Sequence, residues 1–438
     1  MENVKKMGLF SMILLGINSI IGSGIFLLPG NVYTEVGSKS IFIYGLATIL
    51  VLSITLCFAE AGGMFSKNGG SYVYAKEAFG DFVGFEVGIM SWVIRIISWS
   101  TLAVGFATAL GLFWPEAATT YKNLVASALV IFLGVNSLFG MNNTKVISNV
   151  ATVGKLVPLI LFVAIGVFFI RPENISQQTA SVGMSGIASG IILVFYAFTG
   201  FESFVVATGE MENPKKNLPI ALLSTLAIVA VMYIAIQLIC VGVLGSDLAG
   251  NKTPIADASS ALLGSFSKTF IGVATLISIF GINIASSIVT PRCGSALAED
   301  GLVPAIIGKT NKNGAPYIAI IISIVLCIPL VLSGSFEQLA VMSVVARFAQ
   351  YIPTCLSILV LRKRNDLSSG FRVPFGPVIP AIAVLGSLWL VQQAFVQDIG
   401  KPILENRVIF GLGAMVLAIP LYFIMNKKEL KVSQETDC

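Results

Sequence analysis

The stretch GINSIIGSGIFLLPG, Gly16 to Gly30, decides how this chain folds. It lies inside an apolar run, residues 9–30, that is long enough to cross a bilayer as a helix, which takes about 20 residues. Near its middle stands Gly22-Ser23-Gly24, and glycine is among the poorest helix formers, about 1 kcal/mol worse than alanine. Glycine lets the backbone leave helical geometry. Leaving it frees N–H and C=O groups that hydrocarbon cannot satisfy, so such a break persists only inside protein or against a cavity. The pattern predicts a membrane helix interrupted at Ile21, Gly22, Ser23 and Gly24.

The rest of the chain gives that break its setting. Of 438 residues, 56% are hydrophobic and 11% charged, and the mean hydropathy is +0.90. Soluble domains carry about 25% charged residues. Apolar segments recur at about 9–30, 40–65, 82–113, 122–140, 146–170, 187–209, 219–244, 269–297, 316–333, 338–361, 377–397 and 408–425. The expected fold class is therefore an all-α integral membrane protein with twelve transmembrane helices in one domain, residues 1–438. The first apolar run is too long for a signal peptide and has no small-residue cleavage site after it, so it reads as the first span. No connection is long or polar enough to form a separate soluble domain.

Several chemistries are excluded. The chain has no histidine, which removes imidazole acid–base chemistry and imidazole metal ligation. The six cysteines show no C-x-x-C spacing, so neither a metal site nor a disulfide framework is expected, and no cofactor is implied. The net charge of +5 is a topology signal. With the N-terminus in the cytoplasm, the cytoplasmic loops hold more than twice the lysine and arginine of the outer loops, as the positive-inside rule requires. Both termini are thus expected in the cytoplasm, in a multi-pass protein of the cell (plasma or inner) membrane, with no nucleic-acid partner.

A second span repeats the feature. GIILVFYAFTGFESFVVATG, residues 190–209, reads as broken near Ala197, Phe198, Thr199 and Gly200. The two broken spans are five apart, which predicts two five-helix repeats, 9–170 and 187–361, followed by two extra helices over 377–425. Paired glycine-interrupted spans in corresponding halves point to a transporter site built from unwound helices. Freed N–H groups at a half-helix start suit a carboxylate, and freed carbonyls at a half-helix end suit an ammonium. An amino acid carries both. The competing reading is close helix packing, because small residues also line membrane helix contacts.

With these residues in view, INSIIGSGIFLLPG (17–30) and FTGFESFVVATGEMENPKKNLPIAL (198–222) resemble the amino acid–polyamine–organocation (APC) superfamily of secondary transporters. GGSYVYAKEAFGDFVGF (69–85), TPRCGSALAEDGLVP (290–304) and FRVPFGPVIP (371–380) extend the resemblance over nearly the whole chain in collinear order. The resemblance implies a five-plus-five inverted repeat with two added helices and alternating access around a midplane site. Gly22, Ser23 and Gly24 match the family's carboxylate-binding glycines, and Tyr196 matches its sixth-span gate aromatic, which is Trp in some exchangers. Heteromeric relatives join a partner through a cysteine in the second external loop; WPEAATTYKN (114–123) has none, so no obligatory partner subunit is expected.

Charges within spans are functional candidates by default. Lys155 lies ten residues past Lys145, roughly 15 Å along a helix. Sodium-coupled relatives hold a cation between the first, fifth and eighth spans. Lys155, beside Ser286 and Ser287 of the eighth, is expected to stand in for it, which predicts sodium independence. The alternatives are a titrating proton carrier and a structural tie to first-span carbonyls. Glu202, just past the second break, either titrates or caps the unwound backbone and pairs with a base. Arg95 either meets an acidic substrate side chain or forms a buried ion pair facing away from the pocket, with Glu202 as partner. Arg347 reads as scaffold, Arg292 as snorkelling, and Glu60 as interfacial.

The leading expectation is a sodium-independent transporter of L-amino acids, by proton symport or exchange, with neutral amino acids first because no second acid is evident for a cationic side chain. Acidic amino acids, through Arg95, and polyamines follow. An enzyme would need a nucleophile–base pair or metal cluster, a channel a continuous polar lining, and a non-transporting sensor an added domain; the sequence offers none of these.

Overall fold

The computed structural model describes residues 7–65, 70–139, 144–176, 182–206, 211–367, 370–402 and 406–436, with the side chains of 144–151, 206 and 426–436 outside that description. Residues 66–69 and 140–143, parts of the loop stretches expected between spans, fall outside it, as do Lys67 and residues 207–210, the end of the sixth apolar segment and the start of the loop after it.

Eighteen α-helices and no strand appear among the described residues. In chain order they are α1 Leu9–Ile20, α2 Ser23–Leu27, α3 Pro29–Val36, α4 Ser40–Met64, α5 Ser71–Phe79, α6 Asp81–Leu110, α7 Lys122–Ser137, α8 Thr144–Gly166 and α9 Pro172–Ser176. They continue with α10 Met184–Phe198, α11 Ser203–Val206, α12 Pro214–Leu244, α13 Pro254–Leu263, α14 Ser265–Glu299, α15 Tyr317–Ser333, α16 Phe336–Leu361, α17 Val378–Gln397 and α18 Arg407–Thr436. Among the described residues, nine helical stretches are long and apolar enough to span a membrane by themselves. Three shorter apolar helices, Leu9–Ile20, Lys122–Ser137 and Tyr317–Ser333, stand where the first, fourth and ninth segments of the sequence lie. The first segment is short because it is broken; beyond the break it continues through α2 and α3 to Val36.

The outer surface carries large apolar side chains such as Phe10, Phe42, Leu124, Phe168, Val231 and Leu417. Such a surface is stable only against hydrocarbon. Inside, α6 packs against α14 and α16, while α4 packs against α12. This frame encloses the broken pair. The start of α16 is fixed locally: Ser335 Oγ accepts from Gln338 N at 3.2 Å, and Gln338 Oε1 accepts from Ser335 N at 2.9 Å, a reciprocal cap. That cap sets the register that brings Arg347, three turns on, to the second break.

Candidate functional site

The first break is two extended residues, Ile21 (φ −69°, ψ 100°) and Gly22 (φ −130°, ψ −152°). The second falls one turn-position later than the sequence suggests: α10 runs helical through Phe198, and the chain unwinds over Thr199–Glu202 before α11. Gly200 sits at φ +114°, a region closed to most side chains. A Cβ there would lie 2.3 Å from the Ser19 carbonyl oxygen, so the backbones of the two breaks meet at this glycine. They meet again at Gly24, where a Cβ would lie 2.6 Å from Ala197 Cα. Across the same contact Ser23 Oγ and Tyr196 Oη share a hydrogen bond of 3.1 Å, and the Tyr196 ring packs edge-on against Phe336.

Carbonyls released at the end of α1 already have donors. Lys155, fully buried on α8, donates from Nζ to the carbonyls of Asn18 (2.5 Å) and Ile21 (2.7 Å). Its ammonium thus occupies the end of the half-helix, where the backbone dipole favours positive charge. No hydrogen bond joins it to Ser286 or Ser287 among the described residues; Ser286 lines the cavity described below, and Ser287 donates to the Ile284 carbonyl. Tyr233 of α12, which sequence reasoning did not single out, ties the two breaks together. Its hydroxyl lies 3.4 Å from the Ile20 carbonyl and 3.1 Å from the Ala197 carbonyl. A tyrosine in the middle of the apolar run 219–244 was the available signal.

Glu202 is held by three donors: Gly200 N at 2.9 Å, Tyr351 Oη at 3.1 Å and Arg347 Nε at 3.1 Å. Arg347 also donates to Ser98 Oγ at 3.0 Å and to both oxygens of Ser343. The partner of Glu202 is therefore Arg347 and not Arg95, because α16, rather than α6, presents its arginine to the unwound turn. Glu60, expected at the interface, is instead 1% exposed and grips Arg362 through two 2.7 Å bonds and Val373 N through one of 2.6 Å. Arg362 and Val373 thus close over Glu60 near the end of α4.

Below the breaks lies a cavity of about 700 Å³. Gly22, Ser23, Gly24, Tyr196, Ala197 and Gly200 form its inner end, while Phe198 is fully buried behind it. The cavity runs along Asn18, Ser98, Arg95 and Thr290 to Tyr72, Glu299 and Asp300, at the end where α1 begins and α14 finishes. At that mouth Tyr72 Oη donates to Asp300 at 2.5 Å. Arg292 is exposed on the same wall. Arg95 lines the cavity, with the Cys293 thiol in hydrogen-bonding reach and no carboxylate within ion-pair distance among the described residues. It lies nearer the mouth than the breaks do. The Leu102 carbonyl accepts from Asn283 at 3.1 Å, next to the Ile282 side chain that faces Gly22; Arg95 is seven residues mouthward of Leu102, about 10 Å of helix. Cys57, Cys240, Cys327 and Cys355 are buried and free, and among the described residues no group of three acids or cysteines is arranged for a metal.

Comparison with known proteins agrees with this architecture. The family model described as amino acid permease matches residues 7–419. An uncharacterized transporter of Mycobacterium tuberculosis is 32% identical over 419 residues, covering 88% of this chain and 87% of its own. The branched-chain amino acid permease BcaP of Bacillus subtilis is 26% identical over 454 residues, covering 98% and 95%. The serine/threonine exchanger SteT of the same organism is 28% identical over 447 residues, covering 97% and 98%. A family of permeases performs transport rather than catalysis. A chain whose helices break twice around one cavity, and which matches that model over residues 7–419, belongs to the amino acid permease family of the amino acid–polyamine–organocation superfamily.

Proposed function

We propose that this protein carries an L-amino acid across the cell membrane without sodium, by alternating access between two five-helix repeats. The observation that supports this most is the meeting of the two breaks at the inner end of a single cavity open toward one side. The α-carboxylate of the substrate binds the amides of Gly22, Ser23 and Gly24 at the start of α2, which continues through Leu28 into α3. Tyr196 and Ala197 cover it from the other half. Lys155 takes the place a sodium ion would hold, since its ammonium already satisfies the carbonyls of Asn18 and Ile21. Both termini lie in the cytoplasm, so the cavity is open inward. Glu202 serves the site as a structural cap, engaged by Arg347.

The side chain is neutral in this reading. Among the described residues, the acids on the cavity wall are Glu202, already paired, and Glu299 and Asp300 at the mouth, so none of them at the inner end is free to draw a lysine, an arginine or a polyamine. The relatives named for branched-chain amino acids and for serine and threonine support the same choice. A second reading, acidic amino acids, is favoured by one observation: Arg95 faces the cavity without a carboxylate partner.

Uptake of radiolabelled L-leucine, L-serine, L-glutamate and L-lysine into proteoliposomes, in sodium and in choline buffers, tests both. Sodium-independent uptake of leucine or serine is the expected result. A strict sodium requirement overturns the role of Lys155, and preference for glutamate, lost in Arg95→Gln, replaces the neutral reading by the acidic one.

A further inference from the structure

Four acidic side chains are buried among the described residues: Glu60, Glu86, Glu202 and Asp398. Three are fully engaged. Glu60 takes Arg362 and the Val373 amide, and Glu202 takes Arg347, Tyr351 and the Gly200 amide. Asp398 takes Lys401, the Arg407 side chain and the Arg407 amide. Glu86, on α6, is 5% exposed, and neither of its carboxyl oxygens has a hydrogen-bond partner among the described residues. It is absent from the cavity lining, so it has no part in the substrate site.

Among the described residues, none of the charged and titratable groups on the elements packed against α6 bonds to Glu86. On α5, Lys76 pairs with Asp81, Glu77 with Arg364, and Tyr72 with Asp300. On α14, Arg292, Cys293 and Glu299 line the cavity. On α16, Arg347 and Tyr351 pair with Glu202 and Cys355 faces Cys57, while Arg362, just past its end, pairs with Glu60. On α18, Tyr422 packs against the rings of Phe82 and Phe85. Tyr74 of α5 stacks on Phe65, Lys268 of α14 pairs with Asp257, and Arg407 of α18 pairs with Asp398. Cys327 of α15 donates to the Ile96 carbonyl and Lys122 of α7 to the Gly334 carbonyl; Glu116, Tyr317 and Glu337 complete the described set. An ionised carboxylate without a partner in such surroundings costs far more than a neutral carboxyl, and a protein avoids the cost by keeping the group protonated. A metal ion would require several further oxygen ligands, and none is gathered here among the described residues.

We propose that Glu86 is a proton-binding site of the transport cycle, occupied by a proton in this cavity-open conformation. The inference rests on the transport reading above and adds the residue that couples it to protons. The chemistry is the addition of one proton to one carboxylate, with no other bond made or broken. Its position suits the task. Glu86 is five residues past Asp81, about 7 Å along α6, near the end at which the cavity opens. Two residues on, a Cβ at Gly88 would meet Leu297 and Leu302 at 3.1 and 3.2 Å and Tyr72 at 3.8 Å. Tyr72 and Leu297 both line the cavity mouth. Gly88 and Glu86 project from different faces of α6, so in this proposal a shift of the helix as the mouth closes, and not direct contact, changes the surroundings of Glu86. Proton occupancy and access to the substrate site are linked through that shift.

The test uses the full chain reconstituted in liposomes, with L-leucine and L-serine as transport probes. Infrared spectra recorded across neutral pH are expected to show a protonated-carboxyl band in the parent protein that is missing in Glu86→Gln. Stimulation of probe uptake by an acid-outside gradient is expected to be at least tenfold smaller in Glu86→Gln than in the parent. Glu86→Asp, which keeps a titratable carboxyl, is expected to retain both signals and serves where the amide variant does not fold. Identical spectra for parent and Glu86→Gln, or an unchanged response to the gradient, overturn the proposal. If the parent takes up neither probe, the transport reading fails and the coupling role with it. The band comparison then still decides, independently, whether Glu86 holds a proton.

Discussion

The ammonium of Lys155 sits 2.7 Å from the carbonyl oxygen of Ile21, the first residue of the break that follows α1. A second donation, to Asn18 at 2.5 Å, makes this side chain the closure of a half-helix that has no next turn of its own. Removing it takes the donor from a buried carbonyl at Ile21 and a partly buried one at Asn18, and a buried acceptor left unsatisfied costs about 1–3 kcal/mol. Lys155→Met is therefore expected to lower the unfolding temperature in detergent and to reduce uptake at least tenfold. A variant that matches the parent in both would show that the tie is dispensable.

Gly24 and Gly200 hold the two breaks in contact. Gly200→Ala adds a methyl group that meets the Ser19 carbonyl at 2.3 Å, at a backbone angle that side chains rarely adopt. Gly24→Val pushes α2 off Ala197. Both variants are expected to lose uptake at least tenfold while the folded protein is still recovered from the membrane. By contrast a Cβ at Gly22 meets only the end of the flexible Ile282 side chain at 3.2 Å, so Gly22→Ala is expected to be the mildest of the three. An inverted order in an uptake series would contradict the backbone contact as drawn.

The Glu202–Arg347 pair should behave as a buried unit. Breaking a buried pair from one side costs about 3–5 kcal/mol, because the other charge stays behind. Glu202→Gln and Arg347→Met are each expected to destabilise strongly, and the double variant by clearly less than their sum. Denaturation of the four proteins in detergent measures this; strictly additive losses would mean the two side chains act independently.

Asp398 gives a pH prediction outside the spans. Burial acts to raise its pKa, but the hydrogen bonds from Arg407 and Lys401 outweigh it and hold the carboxyl below its ordinary value. A depressed folded-state pKa stabilises at pH values above the unfolded carboxylate range, and that stabilisation disappears as pH falls through the folded value. Asp398→Asn is thus expected to unfold at lower temperature than the parent at pH 7, with the gap closing progressively below about pH 4. A gap that stays constant down to strong acid would assign the effect to packing alone.

The chain itself determined the membrane class and the places where helices fail. Apolar runs and the glycines at 22, 24 and 200 act through neighbouring residues, by hydrophobic burial and backbone freedom, so a linear reading reaches them. Even there the second break falls later than the sequence alone suggests, because Ala197 and Phe198 remain helical where Gly24 and Tyr233 pack against them. Which charge meets which was decided only by the tertiary structure. Arg347 reaches Glu202 from 145 residues away, Arg362 reaches Glu60 from 302, and Arg95 is left to the cavity. The same holds for the isolation of Glu86. Pairing depends on how helices far apart in sequence rotate and tilt against one another, and a charge buried in a span carries no mark of the face that will receive it.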